Sequence, residues 1–475
     1  MANHSVRATE LGTSVSTPVV AESGVPFFIG VAPVQSAESP ASVGVPTLCT
    51  SFDEAVAKLG YSDDWAHYTL CEAMYSHFKL YGKQPVIFLN VLDLTLGTMT
   101  EAVAADDIDV ADHKIKLSID ALNDTNLVIK AAGGQGSAYV KGTDYATFYD
   151  GEYLVIELIS TGSAYSATSL NVAYKKVKHS GITASVVATA VEKVELCLTK
   201  VGIVPDLLLA PGFSKDATVA AALATKAAAI NGLFKAKALI DIDCSSGGAT
   251  SYDNVLTKKN AASITDVSEI ACWPMGKLGT KKFHLSTQLA GLMAKVDTDN
   301  NGSPYESPSN KGLKIDGIIL EDGTEVDLTK PQADIVANNG VVTALNFVNG
   351  WVAWGNNTAC YPASTDVKDY FIPMSRSFAW VANTLIKTFW TKLDKPMNRR
   401  LIDSIIDTAN IWLNGLVGQG VFYGARVEML DAENPVTDLM SGIIKFHIYI
   451  TPPAPAQEID FLLEYDANYV TEALS

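Results

Sequence analysis

Three prolines within four residues, Pro452, Pro453 and Pro455, constrain this 475-residue chain more than any other feature. Each fixes its own φ and removes a backbone donor, so the run stays extended and carries the chain away from the body. It follows a strand-like stretch, Ile443–Ile450. After it comes Glu458–Tyr465, where Ile459, Phe461 and Leu463 stand against Asp460 and Glu464, the spacing of one more strand. A strand at the end of a rigid spacer lacks a partner in its own domain and is suited to adding an edge to a neighbouring copy. At the other end, residues 1–22 are rich in Ser, Thr and Val, carry Pro18 and show no helical period. Their run Ser14–Val20 has strand composition, with Val15, Val19 and Val20 as its apolar positions. Residues 1–22 and 453–475 therefore read as extended arms, expected to be dispensable for folding and needed for a polymer.

Between the arms the length predicts two or three domains. Gly24–Val34 and Pro85–Leu94 read as strands, the second with the near-continuous apolar run of a buried parallel sheet. Asp63–Gly82 reads as one helix, capped by Asp63 or Asp64, with Trp65, Tyr68, Cys71, Tyr75 and Phe78 near helical spacing. The texture changes from about Gly97 to His179. There Lys114–Ile119, Asn126–Ala131, Ala138–Val140, Tyr153–Ser160 and Ser169–Val177 read as short strands separated by glycine turns, an all-β domain inserted at 97–179.

Helices and strands then alternate again through Ala184–Leu198, Asp206–Ala210, a helix over Asp216–Ile230 and a strand over Ala236–Ile242. In that helix Val219, Ala220, Leu223, Ala227 and Ile230 form the inner face, and Asn231–Gly232 signals its end. Asp297–Asn310 reads as a loop. Two long helices follow, about Arg376–Leu393 and Asn398–Val417, then an antiparallel pair, Val421–Leu430 and Ile443–Ile450. The whole predicts an α/β (α+β) core with a doubly wound-like mixed sheet, discontinuous over 23–96 and 180–452.

Composition excludes several functions. A formal net charge of −17 argues against nucleic-acid binding, which needs clustered Lys and Arg. No apolar run reaches the roughly 18–20 residues that span a bilayer, which predicts no membrane insertion. The first residues lack a basic-then-apolar layout, which predicts no Sec-type secretion. Hydrophobic residues make up 48% and charged residues 18%, slightly apolar for a lone monomer, which points to surface buried between subunits. The six cysteines, Cys49, Cys71, Cys197, Cys244, Cys272 and Cys360, show no CxxC pair or metal-ligand spacing and read as reduced thiols.

Chemistry has weak footholds. Asp241 and Asp243 end a strand, where open α/β sheets place ligand groups, and a metal-dependent hydrolase would need them to converge with a histidine such as His284. The alternative is that they are strand-end residues beside the loop Ser245–Ser246–Gly247–Gly248, which lacks the spacing of a phosphate-binding loop. No GxSxG elbow is present. No cofactor is expected. One charge feature stands out: Arg376, Lys387, Lys392, Lys395, Arg399 and Arg400 face a single acid, Asp394, over 25 residues. They form a solvated helix face, a contact for an acidic partner surface or, as a third reading, a contact for an anionic membrane.

The stretch Asn434–Pro435–Val436–Thr437–Asp438–Leu439–Met440–Ser441–Gly442–Ile443–Ile444–Lys445–Phe446, followed by Pro452–Pro453 and Glu458–Ile459, resembles the C-terminal region of contractile tail sheath proteins. These form the outer tube of contractile phage tails and bacteriocin-like particles. Further matches recur in family order. Gly24–Gly30 resembles the first strand of the sheath core, and Pro205–Gly212 a central strand and its turn. Ser307–Lys311 and Gly350–Thr358 resemble two later loops. The family's acidic and aromatic run between the Trp–Gly–Thr loop and the long helices is poorly matched, which marks a diverged member.

The resemblance implies a non-enzymatic subunit that polymerises around an inner tail tube and contracts to drive that tube through a target envelope. It implies hexameric rings stacked in a helical sheath, with the inner tail tube protein, baseplate and tail terminator proteins as partners. The place implied is a virion tail or contractile particle, assembled in the bacterial host cytoplasm. The arms, through Val15, Val19, Val20, Ile459, Phe461 and Leu463, are then subunit contacts, and Lys387, Lys392, Lys395, Arg399 and Arg400 face the tube. The alternatives are a metal-dependent hydrolytic α/β enzyme with an appended β domain, or a non-contractile structural tube.

Overall fold

The computed structural model describes residues 18–475. Val15 and its neighbours to Thr17 lie outside the described residues. The centre is an eight-stranded mixed sheet. In spatial order its strands are Trp351–Trp354, Val341–Asn346, Glu269–Cys272, Lys237–Asp241, Leu207–Leu209, Pro26–Gly30, Val86–Asn90 and Thr47–Cys49. The outer two are antiparallel to their neighbours and the inner pairings are parallel. Strands buried on both faces must be apolar throughout, and Phe27–Ile29, Val86–Leu89 and Leu207–Leu209 are fully buried.

The helix at Ala217–Ala228 shows how sequence sets these layers. The Asp216 carboxylate accepts from the Thr218 amide at 2.8 Å and caps it. Val219, Ala220, Leu223 and Ala227 fall on one face and are buried, as is Ile230. Burying a side chain such as Leu223 contributes roughly 1.5–3 kcal/mol, and its truncation would leave a cavity.

Three stretches differ from their expected form. Asp63–Gly82 is not one helix: residues 65–67 form turns, the helix starts at Thr69, and from Tyr75 to Tyr81 it widens into a π-helix that ends at left-handed Gly82. Neither Asp63 nor Asp64 caps it. The loop expected from Asp297 begins later, because Leu285–Asp299 is a helix with Asp297 buried in its last turn. Gly350–Thr358 contains the edge strand Trp351–Trp354.

Residues 100–177 form two three-stranded sheets. Ser169–Val177 lies between Thr100–Asp109 and Val128–Ala131, and Tyr153–Leu158 lies between Lys114–Ser118 and Tyr145–Asp150. Ile115, Leu117, Ile129, Leu154, Ile156, Leu170 and Val172 pack between them as a separate core. Thr100–Asp109 and Tyr145–Asp150 are strands that the apolar pattern does not announce. Ala138–Val140, expected as a strand, is irregular. Thr100 pairs with Val177, so the two ends of the segment adjoin. Ile119, Leu122 and Val177 pack into the central core. Asp120 accepts from the Tyr68 hydroxyl at 2.6 Å, and Glu152 from the Ser62 hydroxyl at 2.6 Å and the Asp63 amide at 2.7 Å.

The long helices are Ile372–Phe389 and Arg399–Gly418, with Trp380 against Trp412 at 5.5 Å. They pack on a ribbon of Gly424–Glu428 paired antiparallel with His447–Thr451. No helix of the described residues is long and apolar enough to cross a membrane.

Candidate functional site

The carboxyl ends of the parallel strands do bring Asp241 and His284 to one small cavity, also lined by Gly212, Ser214, Lys215 and Glu321. Its volume is about 20 Å³, room for about one water. The polar groups around it are already committed. Asp241 accepts from the Ser286 amide at 3.0 Å, the Ser286 hydroxyl and the Ser214 hydroxyl at 3.1 Å. Asp243 turns back to the Ser245 amide and hydroxyl at 2.9 and 3.0 Å. His284 is held by Glu72, whose carboxylate accepts from its amide and contacts Nδ1, both at 2.7 Å. Burial alone would push His284 down, but the Glu72 charge and the hydrogen bond to Glu72 together outweigh it and hold the imidazole up at about 9. A histidine protonated at neutral pH is a poor metal ligand, and no group of His, Cys, Asp and Glu among the described residues could hold a metal ion. The cluster fastens the Leu285–Asp299 helix to the sheet; it does not present a reactive group.

The basic stretch divides. Arg376 is buried, with Nη1 3.0 Å from Asp297 Oδ1 and Nη2 2.7 Å from Asp206 Oδ2. Lys387 donates to Glu22 Oε2 at 2.6 Å and is largely covered. Both are spent inside the subunit, which corrects their reading as part of a free basic face. Lys395, Arg399 and Arg400 sit exposed at the turn between the long helices, with Lys392 half-buried beside them. Arg399 pairs with Asp403 at 2.9 Å one turn along its helix. Trp390 and Leu393, 56% and 60% exposed, stand beside them. The tip is thus cationic and apolar together.

At the C-terminal end, residues 452–466 are extended without regular structure. The expected strand over Glu458–Tyr465 is not formed within the subunit. Ile459 is 70%, Phe461 85% and Leu463 96% exposed. A hydrogen bond from Gln457 Nε2 to Asn356 Oδ1, at 2.9 Å, fixes the root of the segment. The opposite arm behaves otherwise. Val19 and Val20 are about half exposed, yet the Val19 and Ala21 amides donate to Thr388 and Thr384 hydroxyls, both at 3.0 Å. Residues 19–22 are fastened to their own subunit.

Strand edges are managed unequally. Asn310–Leu313 runs along the edge strand of the central sheet, with the Asn310 amide donating to Ala353 O at 2.7 Å and the Leu313 amide to Trp351 O at 2.9 Å. In the two-stranded ribbon, the Asn410 side chain caps the outer side of Val427, accepting from its amide at 2.8 Å and donating to its carbonyl at 3.2 Å. The outer side of His447–Thr451 carries no strand among the described residues.

No family model matches the chain. It is 25% identical over 491 residues to the tail sheath protein of Burkholderia phage BcepMu, covering 98% of this chain and 97% of that protein. Along its whole length the chain is similar to a tail sheath protein. The chain is also 24% identical to the tail sheath protein of Escherichia phage P2, over 44% of its own length and 52% of that relative. Its fold matches the sheath of an extracellular contractile injection system, PVC, in the contracted state, with a TM-score of 0.59 and 14% identity over 99% of both chains. The contracted helical sheath of the anti-feeding prophage gives a TM-score of 0.59 and 14% identity, over 98% of this chain and 100% of that one. At that identity the likeness is one of fold.

Proposed function

We infer that this protein is the structural subunit of a contractile tail sheath, which polymerises as a helical tube around an inner tail tube and contracts to drive it through a target cell envelope. The end-to-end relationship to the BcepMu tail sheath protein carries the reading. The commitment of Asp241, Asp243 and His284 to internal bonds disfavours a hydrolytic role. Contraction needs no nucleotide, since new contacts between subunits supply its free energy.

The finer assignments are proposals. Subunits associate head to tail in an open helix of stacked hexameric rings. Ile459, Phe461 and Leu463 of one copy are laid on the open His447–Thr451 edge of another, which pairs the backbone groups that both leave free. At roughly 25 cal/mol per Å² of apolar area, covering these side chains contributes a few kcal/mol per contact. The N-terminal arm, with Val15, Val19 and Val20, adds a second contact. The tip bearing Lys392, Lys395, Arg399 and Arg400 faces an acidic inner tube, and the 97–179 segment lies on the outside. Baseplate and terminator proteins meet the ends of the tube, and assembly takes place in the bacterial host cytoplasm. Electron microscopy of the purified protein tests the main reading: hollow tubes are expected, and a discrete small oligomer with hydrolytic turnover would overturn it.

A further inference from the structure

The segment from Val19 to Val25 lies along the Ile372–Phe389 helix in the opposite sense. The Val19 amide meets Thr388 and the Ala21 amide meets Thr384, while the Trp380 indole donates to Ala21 O at 2.8 Å. Arg376 and Asp297 then receive Ser23, whose hydroxyl donates to Asp297 Oδ2 at 2.6 Å. Val25 closes the run, its amide donating to Asp206 Oδ1 at 2.7 Å.

Geometry explains the match. Two residues of extended chain advance about 6.6 Å, and four residues of helix about 6.0 Å. Alternate amides of the arm therefore fall opposite Thr388 and Thr384, and Trp380 and Arg376 continue the same helical stripe. Gly24 ends the strap. Its φ is +72°, and a Cβ there would lie 2.8 Å from Ala294 Cα, so the chain can enter the Pro26–Gly30 strand at this point only as glycine. The outer faces of Val19 and Val20 stay half exposed, so apolar burial alone does not hold the segment down. Directed bonds to one helix do.

We propose that the stripe Arg376, Trp380, Thr384 and Thr388 is the anchor of the N-terminal arm, passing tension on that arm into the Ile372–Phe389 helix, just beyond whose C-terminal end lie Lys392 and Lys395. The inference rests on the sheath reading and gives that helix two loads. A pull along the arm acts on these bonds together, because they are spaced parallel to it. It reaches the basic tip through the last turn of that helix and the short 3-10 turn Trp390–Lys392, so the contact with a neighbouring copy and the contact with the inner tube share one lever. These are positioning residues for the arm.

The test is the double substitution Thr384→Val with Thr388→Val in the full chain, which keeps side-chain volume and leaves the Arg376 pairs intact. Three quantities are read: amide exchange at Val19 and Ala21, the thermal unfolding midpoint, and tube length and yield by electron microscopy. The expected result is exchange at the two amides faster by about tenfold, a midpoint within a few degrees of the parent, and fewer, shorter tubes. Unchanged exchange overturns the anchor, and so do open amides with tubes of parental length. If the double variant does not fold, Glu22→Gln releases the Lys387 pair on the outer side of the strap, and the same readings apply. A parent that forms no tubes overturns the sheath reading, whereas exchange at Val19 and Ala21 still decides whether the hydroxyls hold the strap.

Discussion

Arg376 grips Asp297 with two prongs, Nη1 to Oδ1 at 3.0 Å and Nη2 to Oδ2, and both side chains are almost wholly removed from water. A second carboxylate, Asp206, shares the guanidinium. Burial pushes Asp206 up while Arg376 pulls it down, and the same two acids hold the arginine above its ordinary range against its own burial. Removing Arg376 strands two buried acids. Arg376→Met should cost about 3–5 kcal/mol, read as a fall in the urea midpoint with an unchanged slope. A loss under about 1 kcal/mol would show the acids find other partners or take up protons cheaply.

The His284–Glu72 pair sets a pH dependence. The folded imidazole is held up at about 9, above the unfolded value near 6.5. Its stabilisation is therefore complete below about pH 6.5 and is lost as pH rises towards 9. Lys237 and Lys259, pushed down by burial to about 7 and about 8, titrate across the same range with the opposite sign. The pair is isolated by difference: the parent should exceed His284→Gln by on the order of 2–3 kcal/mol at pH 6, and by much less at pH 9.5. A gap that does not change with pH would refute the charged pair.

Removing residues 457–475 should leave a soluble subunit with the parent's cooperative unfolding, because Ile459, Phe461 and Leu463 contribute almost nothing to the folded core. The same truncation should abolish tubes. Normal tubes from it would sink strand exchange through this arm.

Reversal of Lys392 and Lys395 to Glu should leave stability within about 0.5 kcal/mol of the parent, since Lys395 is exposed, Lys392 is only half-buried, and charges at the surface contribute little. Co-sedimentation with inner tubes at physiological salt should fall, and high salt should weaken the parent in the same way. Lys387 is the internal contrast. Its reversal places an acid against Glu22 and should disturb the arm as well. Undiminished co-sedimentation of the double variant would move the tube contact elsewhere.

Replacing residues 101–176 with a short Gly/Ser linker is geometrically simple, because Thr100 and Val177 are already paired. It also strips Ile119 and Leu122 from the central core. The product should therefore unfold at lower temperature by several degrees and still form tubes below that point. Insoluble protein at every temperature would make the segment part of the folding core.

The sequence discloses four of the eight central strands, those within Gly24–Val34, Pro85–Leu94, Asp206–Ala210 and Ala236–Ile242, through their apolar runs, and the Asp216 helix through cap and period, because those signals are local. It hides what depends on distant partners. Arg376 and Lys387 read as surface cations beside Lys392, since their acids lie 79 and 365 positions away. Thr100–Asp109 shows no apolar alternation because its exposed positions carry Asp106, Asp107 and Asp109. The π-helix at Tyr75–Tyr81 shifts the register that Trp65, Tyr68 and Cys71 set up. Asp241 and His284 do meet, as strand-end placement suggested, but only the structure shows that Ser286 and Glu72 have already claimed them.

In the proposed strand exchange the open flank of His447–Thr451 is a socket and the exposed C-terminal segment a plug, while the Trp351–Trp354 edge of the central sheet is covered. Pieces of that kind join in one direction only. A growing tube would then end in empty sockets at one end and unused plugs at the other. A protein that caps one end need carry only the matching half, and it could not be mistaken for a cap of the other.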